Sequence, residues 1–236
     1  MGSFLKSIRH ILRPQHRFTP LERQINYIFK EPRLLYQAFT HRSVNPRPRE
    51  NYERLEFLGD AVIDIVVTKA LMKEFTEGDE GLLTQKRAAL VQKPYLASMG
   101  NLLNLLDYLE IEPTVDLKME KIADRQLANL FEALLGALYL DGGLKPCLNL
   151  IMQTVWTHRE EAWQATNFKG RLIEFCHSHS IGSPRFQITN VTGPDHHKIF
   201  EVHVKIGNNV FPAGLGSNKK TAEQAAAQNA LEMLQN

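Results

Sequence analysis

The stretch NYERLEFLGDAV, residues 51–62, constrains this chain most, because it lines up carboxylates along one side of an otherwise apolar helix. At about 100° per residue from Glu53, Glu56 falls near 300° and Asp60 near 340°, whereas Leu55, Leu58, Ala61, Val62 and Ile65 spread over roughly 80–200°. Acid and oil are therefore expected on opposite faces. Arg54 points away from the stripe, and Asp64 lengthens it without a counter-charge. Like charges at this spacing cost about 0.2–0.5 kcal/mol per pair, so a neutralising group from outside the helix is expected. A divalent cation fits that role, and a solvated acidic face is the alternative. Gly59 weakens the helix by about 1 kcal/mol relative to Ala, which suggests that a second backbone packs closely there.

The rest of the first 158 residues reads as helical. LERQINYIF, from a start near Pro20, has apolar positions 21, 25, 28 and 29 at helical spacing, and Pro32 opens PRLLYQAFTH. His41 sits in a polar cluster at a helix end and is expected to be structural. Turn material at NPRPRE leads into the acidic helix, which is expected to run to about Phe75. LLTQKRAALV resumes the helical pattern, with Arg87 expected in a structural ion pair, and Pro94 opens a helix to about Leu103. EPTVDLKMEK reads as an exposed connection. A long helix then spans about Lys121 to Leu140 and stops at Asp141-Gly142-Gly143. On it Asn129 and Glu132 share a face amid leucines, where a Glu is seldom buried without a partner.

From Asn167 the periodicity changes. NFKGRLIEFCHSHS is helical, FQITNVTG and KIFEVHVKIG alternate as strands, NNVFPAGLGS suggests a third strand, and NKKTAEQAAAQNALEML is a final helix. The expected organisation is a basic extension 1–16, an all-α domain 17–158, a linker 159–166 after a helix tail, and a small α-β-β-β-α domain 167–236.

Together these segments resemble ribonuclease III, the endonuclease of double-stranded RNA. ERLEFLGDAV matches the family signature, AFTHRS, EGLLTQKRAALV and FEALLGALYLDGG follow in order, and the C-terminal region resembles the double-stranded-RNA-binding domain. The resemblance covers all but about the first 16 residues. It implies Mg²⁺-dependent hydrolysis, Mn²⁺ being possible, that leaves 5′-phosphate and 3′-hydroxyl ends in the processing of rRNA and mRNA precursors. Glu56, Asp60, Asn129 and Glu132 would hold the metal, with Glu132, Asp60 and Glu53 as the catalytic residues. Glu53 matches a family carboxylate better placed in an outer shell or toward RNA. The family has Asp where this chain has Asn129; an amide oxygen still ligates a hard cation, but one charge is lost.

The resemblance further implies a homodimer formed through Phe57, Leu58 and Gly59, whose two sites cut both strands with a short 3′ overhang. Glu174, His196, His197, Lys219 and Lys220 match RNA-binding positions. A-form RNA hides its major-groove edges, so such a domain works through minor-groove 2′-hydroxyls and phosphates. Lys219 and Lys220 begin a helix whose free amides also favour phosphate. The alternative function is an inactive relative that binds structured RNA, for example in a ribosome.

Charge and composition agree without deciding. Residues 1–166 carry 21 basic and 21 acidic side chains and residues 167–236 carry 7 and 5, so nucleic-acid binding must rest on placed patches and not on bulk charge. Cys147 and Cys176 form no metal or disulfide pattern. No apolar run approaches the ~18 residues of a membrane span, and Lys6, Arg9 and Arg13 interrupt the N-terminal apolar residues. A cytoplasmic protein without membrane attachment is expected.

Overall fold

Two long helices decide the first half of the chain in the computed structural model, which describes residues 14–194 and 198–235. The chain divides into two units, Met1–Ala162 and Trp163–Asn236. In the first, α1 (Pro14–Gln24), α2 (Pro32–Ala38), α3 (Glu53–Glu74), α4 (Glu80–Val91), α5 (Lys93–Leu102), α6 (Glu120–Gly142) and α7 (Leu144–Ile151) follow one another. A π-turn at Met152–Trp156 leads into α8 (Arg159–Ala165), within which the division falls. The stretch read as a helix tail and linker is therefore helical through Ala165. Among the described residues no helix is long and apolar enough to cross a membrane.

The acidic helix α3 packs along α6, and α5 packs on the same helix. α6 is the centre of the unit: every residue from Gln126 to Leu138 is buried. A Cβ on Gly59 would lie 1.8 Å from the Glu132 carbonyl oxygen, and one on Gly136 would lie 2.1 Å from that of Leu55. Only glycines let the two backbones touch this closely. The close approach expected at Gly59 is thus present, but it is made within the chain. That corrects its assignment to the dimer interface, since the chain's own α6 already covers it.

The expected separation of acid and oil on α3 also needs correction. The helix buries Leu55, Gly59, Val62, Ile63, Val66, Val67 and Leu71, while Phe57 is 81% and Ile65 58% exposed. The apolar residues form two faces, one packed on α6 and one turned outward, and Glu56 lies at the margin of the packed one. Asp64 does have a counter-charge, Arg87 Nε at 3.9 Å, and Arg87 also donates to Thr68 Oγ1 at 3.1 Å. This is the structural ion pair expected of Arg87.

Other boundaries moved for local reasons. α1 starts at Pro14, ahead of the expected Pro20, and ends at Gln24, before Asn26 adopts φ 51°. Phe29 therefore reaches the core from the irregular connection after the turn at Ile25 and Asn26, and Ile28 stays exposed. His41 is buried; its Nδ1 accepts from the Ser43 amide at 3.0 Å, and burial pushes its pKa down, as a structural histidine requires.

In the second unit α9 (Phe168–Ser178) precedes β1 (Arg185–Thr192), β2 (Ile199–Ile206), β3 (Asn209–Val210) and β4 (Gly214–Gly216), and α10 (Lys219–Gln235) closes it. β1 and β2 are antiparallel, and β3 and β4 both pair with β2. The expected third strand is thus one edge in two pieces: the Phe211 amide still bonds Val204 at 2.9 Å, but Pro212 has no N–H to offer. Val202, Val204 and Ile206 of β2 face Leu172 and Cys176 of α9 and the Ala222, Ala226 and Ala230 stripe of α10. His196 and His197 lie outside the described residues.

Candidate active site

The start of α3 is pinned from both sides. The buried Asn51 accepts the Glu53 amide at 3.1 Å and donates to the Asn45 carbonyl at 3.0 Å, which orients the first turn. Next to it the buried Tyr52 donates its hydroxyl to Gln126 Oε1 on α6 at 2.8 Å. With the Gly59–Gly136 crossing, these contacts set Glu56 and Asp60 of α3 beside Asn129 and Glu132 of α6.

Electrostatics follow from that placement. Glu132 is 4% exposed, and its pKa is pushed up to about 7, first by burial and then by the negative charges of Glu56 and Asp60, with Lys93 opposing. Glu56 is also raised by burial, against the pull of Lys93. Glu53 turns to Arg42, whose NH1 donates to its Oε1 at 3.5 Å, while its charge also helps to raise Glu56.

Sequence reasoning missed Lys93. It opens α5, its Nζ donates to Asn129 Oδ1 at 3.0 Å, and it lies 3.8 Å from Glu56 Oε1. The available signal was a lysine directly before Pro94 at a helix start, where a positive charge opposes the macrodipole. Tyr52 and Gln126 were missed as well, because their pairing is 74 residues apart in sequence.

Among the described residues no three His, Cys, Asp or Glu side chains close into a metal cage by themselves. The donor chemistry nevertheless fits Mg²⁺, which takes few protein oxygens and keeps several waters. A carboxyl raised by burial and, after that, by neighbouring carboxylates is the kind of group that a hard cation relieves.

In the second unit, Asn218 Oδ1 caps α10 by accepting the Thr221 amide at 2.9 Å, which leaves Lys219 and Lys220 exposed on its first turn. Glu174 is exposed on α9.

A ribonuclease-III-like family matches residues 31–158, over the unit that carries the acidic groove, and the double-stranded RNA binding motif matches residues 168–234. The chain belongs to the ribonuclease III family. "Ribonuclease 3" of Geobacillus sp. (strain WCH70) is 38% identical over 224 residues, covering 92% of this chain and 91% of that one. "Ribonuclease 3" of Protochlamydia amoebophila is 33% identical over 237 residues, covering 98% and 97%. Among solved structures, the nuclease domain of ribonuclease III from Campylobacter jejuni aligns at TM-score 0.55 with 35% identity, covering 59% of this chain and 96% of that domain; it was described for flexibility in a region involved in dimer formation. Ribonuclease III chemistry, endonucleolytic cleavage of double-stranded RNA, is thus the activity of this chain, and both expected domains are present in order.

Proposed function

We propose that the α3–α6 groove is a Mg²⁺-dependent phosphodiesterase centre, working in a homodimer that cuts both strands of double-stranded RNA and leaves 5′-phosphate and 3′-hydroxyl ends. The buried, raised Glu132 carboxyl beside half-buried Glu56 and exposed Asp60 carries the reading, because a carboxyl held out of water next to further acids calls for a cation. Glu56, Asp60, Asn129 and Glu132 would hold it, and Mn²⁺ suits the same oxygens. A bound divalent ion supplies an acidified water and stabilises charge on the phosphate and the departing 3′ oxygen. The chain's own part is to orient: Tyr52 and Gln126 lock α3 to α6, and Glu53 with Arg42 lines the outer side of the groove, where RNA would pass.

The second unit supplies affinity. Lys219 and Lys220 present charge and helix-start amides to phosphates, which positions RNA without reading its sequence. The dimer rests on the outward face of α3. Exposed Phe57 and half-buried Leu58 line a cavity of about 660 Å³ together with Pro48, Arg54 and Leu140, and an uncovered apolar patch of this kind suits a second copy. Two buried, unpaired cysteines suit the reducing cytoplasm as the place of action.

Long double-stranded RNA with Mg²⁺, with and without chelator, tests the reading. Cleavage that survives chelation removes the metal from it; tight RNA binding without cleavage at any Mg²⁺ concentration makes the chain the inactive relative. Sedimentation of Phe57→Asp tests the dimer, a dimeric variant placing the interface elsewhere.

A further inference from the structure

Lys93 is a cation in a place that its own helix disfavours. It is the first residue of α5, where the Gln92 side chain makes no capping hydrogen bond and the helix dipole repels positive charge. Its ammonium nevertheless reaches into the acidic groove, to Asn129 Oδ1 at 3.0 Å and toward Glu56 Oε1 at 3.8 Å. Asn129 is held on the buried face of α6, three residues on from Gln126, which the Tyr52 hydroxyl ties to α3, and its Oδ1 accepts from Lys93. Two of the four oxygen-bearing side chains in the groove are therefore engaged by a lysine.

Resting on the reading of the groove as a metal site, we propose that Lys93 is a resident cation that competes with the divalent ion for Glu56 and Asn129 and so sets how much metal the site requires. An ammonium beside these donors offsets part of the repulsion among Glu56, Asp60 and Glu132 before any ion arrives. The same charge repels an incoming dication across a few ångströms, so the site holds together cheaply without metal and binds metal less tightly. Asn129 suits this arrangement. A neutral amide accepts from the ammonium and can let go, whereas a carboxylate there would pair with Lys93 more firmly. Lys93 acts through the ligands and is a positioning residue.

Mn²⁺ titration of the RNA-free, full-length chain by calorimetry, at fixed ionic strength, tests the proposal. Lys93→Met is expected to tighten Mn²⁺ binding about tenfold, as loss of one nearby positive charge requires. Lys93→Gln, which keeps polarity, is expected to do the same, and Lys93→Arg, which keeps the charge, to remain within about threefold of wild type. The Lys93 side chain is 58% exposed, so the neutral variants are expected to lower the unfolding temperature of the metal-free chain only slightly, by the part of the carboxylate repulsion that Lys93 offsets, and Lys93→Arg to leave it unchanged. Unchanged or weaker Mn²⁺ binding in both neutral variants overturns the proposal, as does equal tightening in the Arg variant. Glu132→Gln separates the two levels: if it binds Mn²⁺ as wild type does, the groove is not the metal site.

Discussion

Each unit of this protein begins a helix with lysine, and the two helix starts do opposite things. On α5 Lys93 bends toward Glu56 and Asn129; on α10 Lys219 and Lys220 stand in solvent behind the Asn218 cap. A cation at a helix N-terminus is unfavourable in both places, so in both an anionic neighbour is needed to explain it. In the first unit the anions belong to the protein. In the second no ion pair to Lys219 or Lys220 is present among the described residues, and a phosphate backbone is what the exposed pair suits. The contrast teaches that one local signal, a lysine where the dipole opposes it, marks internal charge balance in a groove and ligand charge on an open surface.

The comparison breaks most visibly at Glu132. Glu132→Gln is expected to lower the cleavage rate by at least about a thousand-fold while leaving double-stranded RNA affinity within about twofold, since it removes charge from the groove and leaves the second unit untouched. Cleavage within a few-fold of wild type would take Glu132 out of the chemistry. Next in size, Gly59→Ala is expected to destabilise the first unit by about 3 kcal/mol or more, because its methyl group would meet the α6 backbone. Urea unfolding of this variant should show loss in the catalytic unit alone; an unchanged midpoint would mean that the helices do not cross there.

Metal-free stability sharpens the picture of internal charge balance. The Glu132 carboxyl titrates near 7 in the folded chain and lower when unfolded, so its contribution is fully present below about pH 4.5 and is lost as pH rises toward and through 7. In chelator this costs about 2 kcal/mol between pH 5 and pH 8, and Glu132→Gln should flatten the slope of that loss. Identical pH profiles for the two proteins, by urea midpoint, would show that Glu132 is solvated.

On the other helix start, Lys219→Ala with Lys220→Ala is expected to weaken RNA binding about tenfold at physiological salt, uniformly across sequences, and to reduce the salt slope by about two. An effect restricted to one RNA sequence would indicate base readout. The smallest effect is expected at Asn129. Asn129→Asp should lower the Mg²⁺ concentration for half-maximal cleavage by only about threefold, because the new carboxylate attracts Lys93 as well as the ion. Mg²⁺ titrations that superimpose would place residue 129 away from the metal.

Much of this was readable before folding. The helix stops at Gly143, the acid spacing on α3, the Asn129–Glu132 pair on one face of α6 and the change of period at Asn167 are local patterns, and local patterns survive in a string of letters. Gly59 was legible as a close approach but not as to what approaches, since a missing side chain records proximity and not the identity of the neighbour.

What the amino-acid sequence determined by itself is therefore the list of parts: a helical unit with a row of acids, a small mixed unit with exposed lysines, and the family to which both belong. Tertiary structure alone decided which side of α3 is inside, that Phe57 and Ile65 remain outside, that Asp64 answers Arg87, and that Lys93 enters the groove. The physical reason is range. Helix and strand periods are set by neighbours within a turn, whereas the charge state of Glu132 depends on its burial and on Lys93 and Glu56, which lie far from it along the chain and meet it because α5 packs on α6 and because two glycines let α3 and α6 touch.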